Sequence, residues 1–211
     1  KTVFSSIDKM GRYAYCNQPI ITKWNLARLA ECLIPLIDTN QNKSIELATD
    51  IINSFEKKYE EKWMEMMRHK LGLSILDEKD KFLILDLLTW MHQHKADYTN
   101  TFCYLMDEKI QNDKIYTDYH FKIWKKRWQE RLKKEKNIQD KSIKLMKKNN
   151  PIVIPRNHKI EEVLKAAQED NLKPFLRLLE ILKKPYSSRE GLKDYQTLSN
   201  SNEKYKTFCG T

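Results

Sequence analysis

A chain of 211 residues with 39 Lys and Arg against 29 Asp and Glu carries a formal net charge of +10, and 40% of it is hydrophobic, enough for one large or two small cores. Its four glycines, Gly11, Gly72, Gly191 and Gly210, are isolated, which excludes a Walker-type or dinucleotide-type loop, because such loops need clustered residues without Cβ to bring backbone amides against phosphate. No apolar run reaches the roughly 18 residues of a membrane span.

Residues 1–20 read as irregular: Gly11, the Tyr13-Ala14-Tyr15 alternation and Asn17-Gln18-Pro19 predict an extended segment closed by a turn. The chain opens on Lys1 with no start-of-domain pattern, so a further N-terminal portion is expected. Thr22 is placed to cap a helix from Lys23 whose broad apolar face carries Trp24, Leu26, Leu29, Leu33 and Ile37, with Pro35 tightening its last turn. After a polar loop, Ser44 opens a long helix to about Lys70, with Ile51, Ile52, Phe55, Tyr59, Trp63 and Met67 on one stripe and Gly72 as the stop. Asp77 or Glu78 begins the next helix, through Phe82, Leu87 and Met91, and a short one follows through Tyr98, Phe102 and Leu105. An aromatic, basic helix spans Tyr116 to about Lys136, and a Lys-rich one Ile138 to Lys148. Pro151 to Pro155 is an extended connector. Asn157 caps a helix to Glu169, Pro174 opens a last one ending near Lys184, and a polar tail offers Tyr195, Tyr205 and Phe208 as anchors. No strand pattern appears, so the fold class is all-α.

The constellations in this chain favour structural readings. Trp124-Lys125-Lys126-Arg127-Trp128 could stack bases and hold phosphates, but Trp124, Trp128 and Leu132 are four apart, the ordinary spacing of a core-facing helix. Most basic residues are lysines, whereas phosphate readers favour the bidentate arginine fork, so the charge reads as solvated faces and nucleic acid is not an expected partner. Asp77, Glu78 and Asp80 read as caps and dipole partners. His92 and His94, two apart on a helix, point to different sides, and none of the cysteines Cys16, Cys32, Cys103 and Cys209 forms a CxxC, so no metal ligand is assigned. Cys209, next to Phe208 near the end of the sequence, reads either as an accessible thiol or as one packed against its neighbour.

Three segments together resemble the selenoprotein O family. They are Gly11-Arg12-Tyr13-Ala14-Tyr15-Cys16-Asn17-Gln18-Pro19 with Trp24-Asn25-Leu26-Ala27-Arg28-Leu29-Ala30; then Asp97-Tyr98-Thr99-Asn100-Thr101-Phe102; then Asn150-Pro151-Ile152-Val153-Ile154-Pro155-Arg156-Asn157-His158 with Glu161 and Ala166-Ala167. The likeness spans essentially the whole chain. It implies a pseudokinase-like protein that transfers AMP from ATP to Ser, Thr or Tyr hydroxyls of proteins, with ATP and Mg²⁺ or Mn²⁺ as cofactors of the intact protein. It implies the helical C-terminal lobe of a protein-kinase-like fold plus family-specific helices: 1–20 as an activation-segment-like region, 21–184 as the helical lobe, 185–211 as a polar tail.

The family's ATP- and metal-binding motifs lie before the Gly11-Arg12-Tyr13 segment, so no catalytic, cofactor or metal residue is carried over to this chain. Arg12 and Asn17 are expected to tie the loop to the lobe, and Trp24 to anchor its helix in the core. The likeness also implies a redox feature, since some members link a C-terminal Cys to one in the activation segment. Cys209 matches the tail position, but the upstream position holds Phe4 or Ser5 here, and Cys16 lies inside the motif. A Cys16–Cys209 bridge would need Cα atoms within about 7 Å.

The expected partners are the N-terminal catalytic half of the same protein and the protein substrates of the intact enzyme, in the cytoplasm of a bacterium or the mitochondrion of a eukaryote, with no membrane. The chain alone is expected to be inactive. The alternative is a stand-alone helical interaction module whose basic surface takes acidic partners or nucleic acid.

Overall fold

A helix starts readily where a side-chain oxygen can take up its first free amides, or where proline removes one of them. In this chain those groups set the boundaries more than the apolar periodicity does. The computed structural model describes residues 3, 5, 7–107, 114–135 and 138–199. Among them the regular structure is helical and includes no strand, as the all-α reading expects. They form two compact units, one through Trp63 and one from Met64 onward, and the division falls inside a helix.

In the first unit, a single 3-10 turn, Tyr15–Asn17, leads into α1, Gln18–Ile37. Pro19 lies in the first turn of α1, where a missing amide costs nothing, so the helix begins five residues ahead of the Lys23 start suggested by Thr22. Pro35 lies within the helix, which ends two residues later. Helix α2, Gln41–Lys70, opens on Asn40, whose Oδ1 accepts from the amides of Asn42 (3.0 Å) and Lys43 (3.2 Å). Ser44, the expected start, is buried and donates its hydroxyl to the carbonyl of Asp38. The Lys43 ammonium and the Asn40 amide hold the Asp38 carboxyl below its ordinary range.

The second unit holds the last two turns of α2 and then α3 (Asp80–Gln93), α4 (Tyr98–Met106), α5 (Tyr119–Leu132), α6 (Ile138–Asn149), α7 (Asn157–Gln168), α8 (Lys173–Leu182) and the one-turn α9 (Lys193–Gln196). Gly72 ends α2 as expected. At φ +75° it donates to His69 O, while the next amide, Leu73, reaches back to Arg68 O, the paired bonds of a Schellman stop. A Cβ at this position would lie 3.1 Å from atoms of Met146 and Ser142, so close packing adds to the backbone's demand for glycine.

Asp97 and Asp118 cap α4 and α5, accepting from the amides of Asn100 and Phe121. Asn157 does not cap α7; it is the first helical residue, and the cap position belongs to Arg156, whose side chain makes no capping bond. Tyr205 and Phe208 lie outside the described residues.

The tryptophans of the aromatic helix are core. Trp124 and Trp128 are buried and stacked at 6.0 Å, and their indole N–H groups donate to the carbonyls of Leu83 (2.8 Å) and Leu71 (2.9 Å). Arg127 turns outward to Asp86, 2.7 Å away. One further turn of α5 buries Arg131, which pairs with Asp80 and Glu135. Asp80 therefore belongs to a buried ion cluster as well as to the first turn of α3, where it accepts from the Asp77 amide at 3.2 Å, while Asp77 accepts from the amide of Lys79 and pairs with Lys134.

Burial alone would raise the Glu135 pKa. Bonds from the Ser74 hydroxyl and amide, the Arg131 guanidinium and the Ile75 amide outweigh it and leave the carboxyl below its ordinary value of 4.5. With a lowered folded pKa, the unfolded chain takes up the proton first. The stabilisation is complete above the ordinary glutamate range and is lost as pH falls through the folded value. Between roughly pH 5 and pH 3 the urea midpoint of the wild type is expected to fall more steeply than that of Glu135→Gln; parallel slopes would assign the acid sensitivity to other carboxylates.

Candidate functional site

The Gly11 to Asn17 turn is a built object. Gly11 adopts φ +67°, a region open to glycine at little cost. The Asp8 carboxylate then accepts from the amides of Arg12 and Tyr13, each at 2.8 Å. From the other side, Asn17 Nδ2 donates to Gly11 O (2.8 Å) and Gln18 Nε2 to Tyr13 O (2.6 Å). These four side-chain bonds fix the backbone on both sides of Arg12. Asn17 thus ties the turn to the residues that lead into α1. The sequence signal for Asp8 is local, an aspartate three residues before a glycine, whose carboxylate commonly accepts from the amides of a tight turn; Gln18 carries no such signal.

Arg12 contributes through its face. Its guanidinium lies 4.9 Å from the centroid of the Trp24 ring and 5.8 Å from that of Tyr13, and Arg28 lies 5.6 Å from the same indole. Trp24 is 48% exposed, so it is not the core anchor its place on the apolar face of α1 predicts; it is a surface platform for two cations. Cys16 is a free, exposed thiol with Sγ 3.6 Å from Asn17 Oδ1. Cys209, its suggested partner, lies outside the described residues.

The other two motif segments meet in the second unit. Arg156 grips Asp97 with two bonds of 2.9 Å and Asn100 Oδ1 with a third of 3.0 Å. Asp97 is at the same time the cap of α4, and Asn100 Nδ2 donates to Gln196 O. Gln196 in turn donates to Ile152 O, closing a ring through the proline-rich connector. Beside it, Lys70 places its ammonium over Phe102 (4.8 Å) and Tyr98 (5.5 Å) and donates to Asn149 O; burial lowers its pKa. Burial likewise pushes the Cys103 thiol up to about 11, which leaves it protonated and unreactive at neutral pH.

These groups are spent on one another. Among the described residues, no three His, Cys, Asp or Glu side chains stand together as a bound metal would require, and Gly11, Gly72 and Gly191 are separate turn positions.

Comparison with known proteins agrees with the motif reading. The family described as "Protein adenylyltransferase SelO" matches residues 2–183. A "Protein nucleotidyltransferase YdiU" of Pelagibacter ubique is 55% identical over 214 residues, covering 100% of this chain and 44% of the relative. Relatives of the same description from Alcanivorax borkumensis and Bacillus mycoides are 47% and 46% identical, again over 100% of the chain and over 44% and 43% of their own lengths. The chain thus spans less than half the length of these curated relatives, while the identity runs through both units. On this evidence the chain belongs to the protein adenylyltransferase SelO family.

Proposed function

We propose that this chain is the helical C-terminal part of a kinase-like protein adenylyltransferase, one that transfers AMP from ATP to Ser, Thr or Tyr hydroxyls of protein substrates. Its own residues do structural and presenting work there. The observation that carries this reading is that the motif side chains which could act chemically, Asp97, Arg156 and Asn17, are all committed to internal hydrogen bonds, while in the first unit the Gly11 to Asn17 turn is pinned by its own side-chain bonds. A scaffold that holds such a turn still removes conformational entropy from the protein that uses it. ATP and the divalent cation would then be held by the remainder of the same protein, which is the principal partner of this chain.

The test uses the full-length polypeptide that contains these residues. With Mg²⁺ or Mn²⁺, label is expected to pass from α-labelled ATP to acceptor proteins, and none from γ-labelled ATP. The 211-residue chain alone is expected to transfer neither. Transfer of the γ-label would make the protein a kinase, and AMP transfer by the isolated chain would place the chemistry in residues read here as scaffold.

A further inference from the structure

The pinned turn carries an exposed guanidinium, that of Arg12. Arg28, the other cation on the Trp24 ring, is paired with Glu31 at 2.5 Å. Arg12 has ring contacts on its faces and, among the described residues, no carboxylate partner. Its N–H donors lie in the guanidinium plane, so stacking on rings leaves them available while restricting the side chain. Backbone and side chain are therefore ordered before any partner arrives, which lowers the entropic cost of binding.

The surroundings select the kind of anion. A phosphate is usually cradled by free backbone amides, but the amides of Arg12 and Tyr13 are already donated to Asp8. A single carboxylate needs only the arginine fork. Two further aromatic side chains of the same turn are exposed, Tyr13 at 50% and Tyr15 at 60%. A carboxylate beside apolar side chains on an extended segment matches that surface, and such a segment belongs to a protein.

We propose that Arg12 reads an acidic side chain on the protein substrate, with Tyr13 and Tyr15 as apolar flanks, so that this turn is a specificity site for acidic segments. The proposal rests on the protein-modifying reading above, but its readout is binding. The full-length protein is titrated against an array of fluorescent Leu- and Ala-containing peptides, each with a central Thr and either Glu or Gln at one flanking position. Wild type is expected to bind the best Glu peptide roughly tenfold more tightly than its Gln counterpart, the size of one charged hydrogen-bonded contact. Arg12→Gln abolishes that preference, Arg12→Lys keeps part of it, and Arg28→Gln, whose charge is already spent on Glu31, retains it. Melting temperatures of all variants are measured in parallel. The proposal is overturned by the absence of any Glu-dependent binding across the array, or by a preference that survives Arg12→Gln. It is equally overturned if Arg12→Gln weakens ATP in place of peptide, or if that variant melts several degrees lower with peptide binding unchanged, which would give Arg12 a partner inside the protein. Failure of AMP transfer by the wild type would sink the assigned reaction and leave this binding result to stand or fall separately.

Discussion

Replacing Arg131 by Met is expected to lower the unfolding free energy of the chain by about 3–5 kcal/mol, the usual loss when one member of a buried ion pair is removed. Four donors of this side chain are in use. Nε and Nη2 meet the two Asp80 oxygens at 2.7 and 3.2 Å, Nη1 meets Glu135 at 2.9 Å, and Nη2 also reaches the carbonyl of Ile75 at 2.6 Å. The Asp80 side chain is fully buried and that of Glu135 nearly so. Without the guanidinium, two carboxylates face each other's charge in a dry site, and each must remain desolvated or take up a proton. Lysine at 131 is expected to recover only part of the loss, since a point charge cannot span both carboxylates and the Ile75 carbonyl. Urea unfolding followed by tryptophan fluorescence reports the change, because Trp128 lies one turn away on α5. A Met variant within about 1 kcal/mol of wild type would mean that the cluster is repacked or solvated at little cost.

That cluster also marks where sequence reading runs out. The helices themselves are legible, since three- and four-residue apolar spacing identifies α2 and α5 and Gly72 marks the stop of α2. The starts are less so. Thr22 and Ser44 are good local caps in isolation, yet Pro19 and Asn40 provide earlier ones, and a helix extends to the first start its neighbours allow. Asp80 has the composition of a cap, and nothing local shows that Arg131 arrives from 51 residues away to claim it. Trp24 fails for a related reason. Periodicity gives the face of a helix but not what covers that face, and two guanidiniums, not a core, lie against this indole. The family segments are each visible as strings; their assembly is tertiary. Asp97 and Arg156 are separated by 59 positions, and Gln196, which completes the ring, lies beyond the residues the family match covers.

Arg156→Met tests whether that assembly is scaffold or chemistry. Its fork is bidentate on Asp97, and its side chain is 9% exposed against 19% for Asp97. The variant should cost about 2–3 kcal/mol, less than a fully buried pair, because Asp97 is partly solvated and keeps its capping bond from the Asn100 amide. Nε of Arg156 is buried without a partner, an imperfection that costs part of what the other bonds contribute. Lysine should rescue only partially, having one ammonium for two carboxylate oxygens and the Asn100 carbonyl. In the full-length protein, AMP transfer measured well below the melting temperature should keep its kcat in Arg156→Met, and activity should disappear in step with folding as temperature rises. A variant that melts like wild type but has lost turnover would reverse this assignment. It would mean that Arg156 leaves Asp97 in the working protein to meet a reacting group, and that the bonds seen between them describe a resting arrangement.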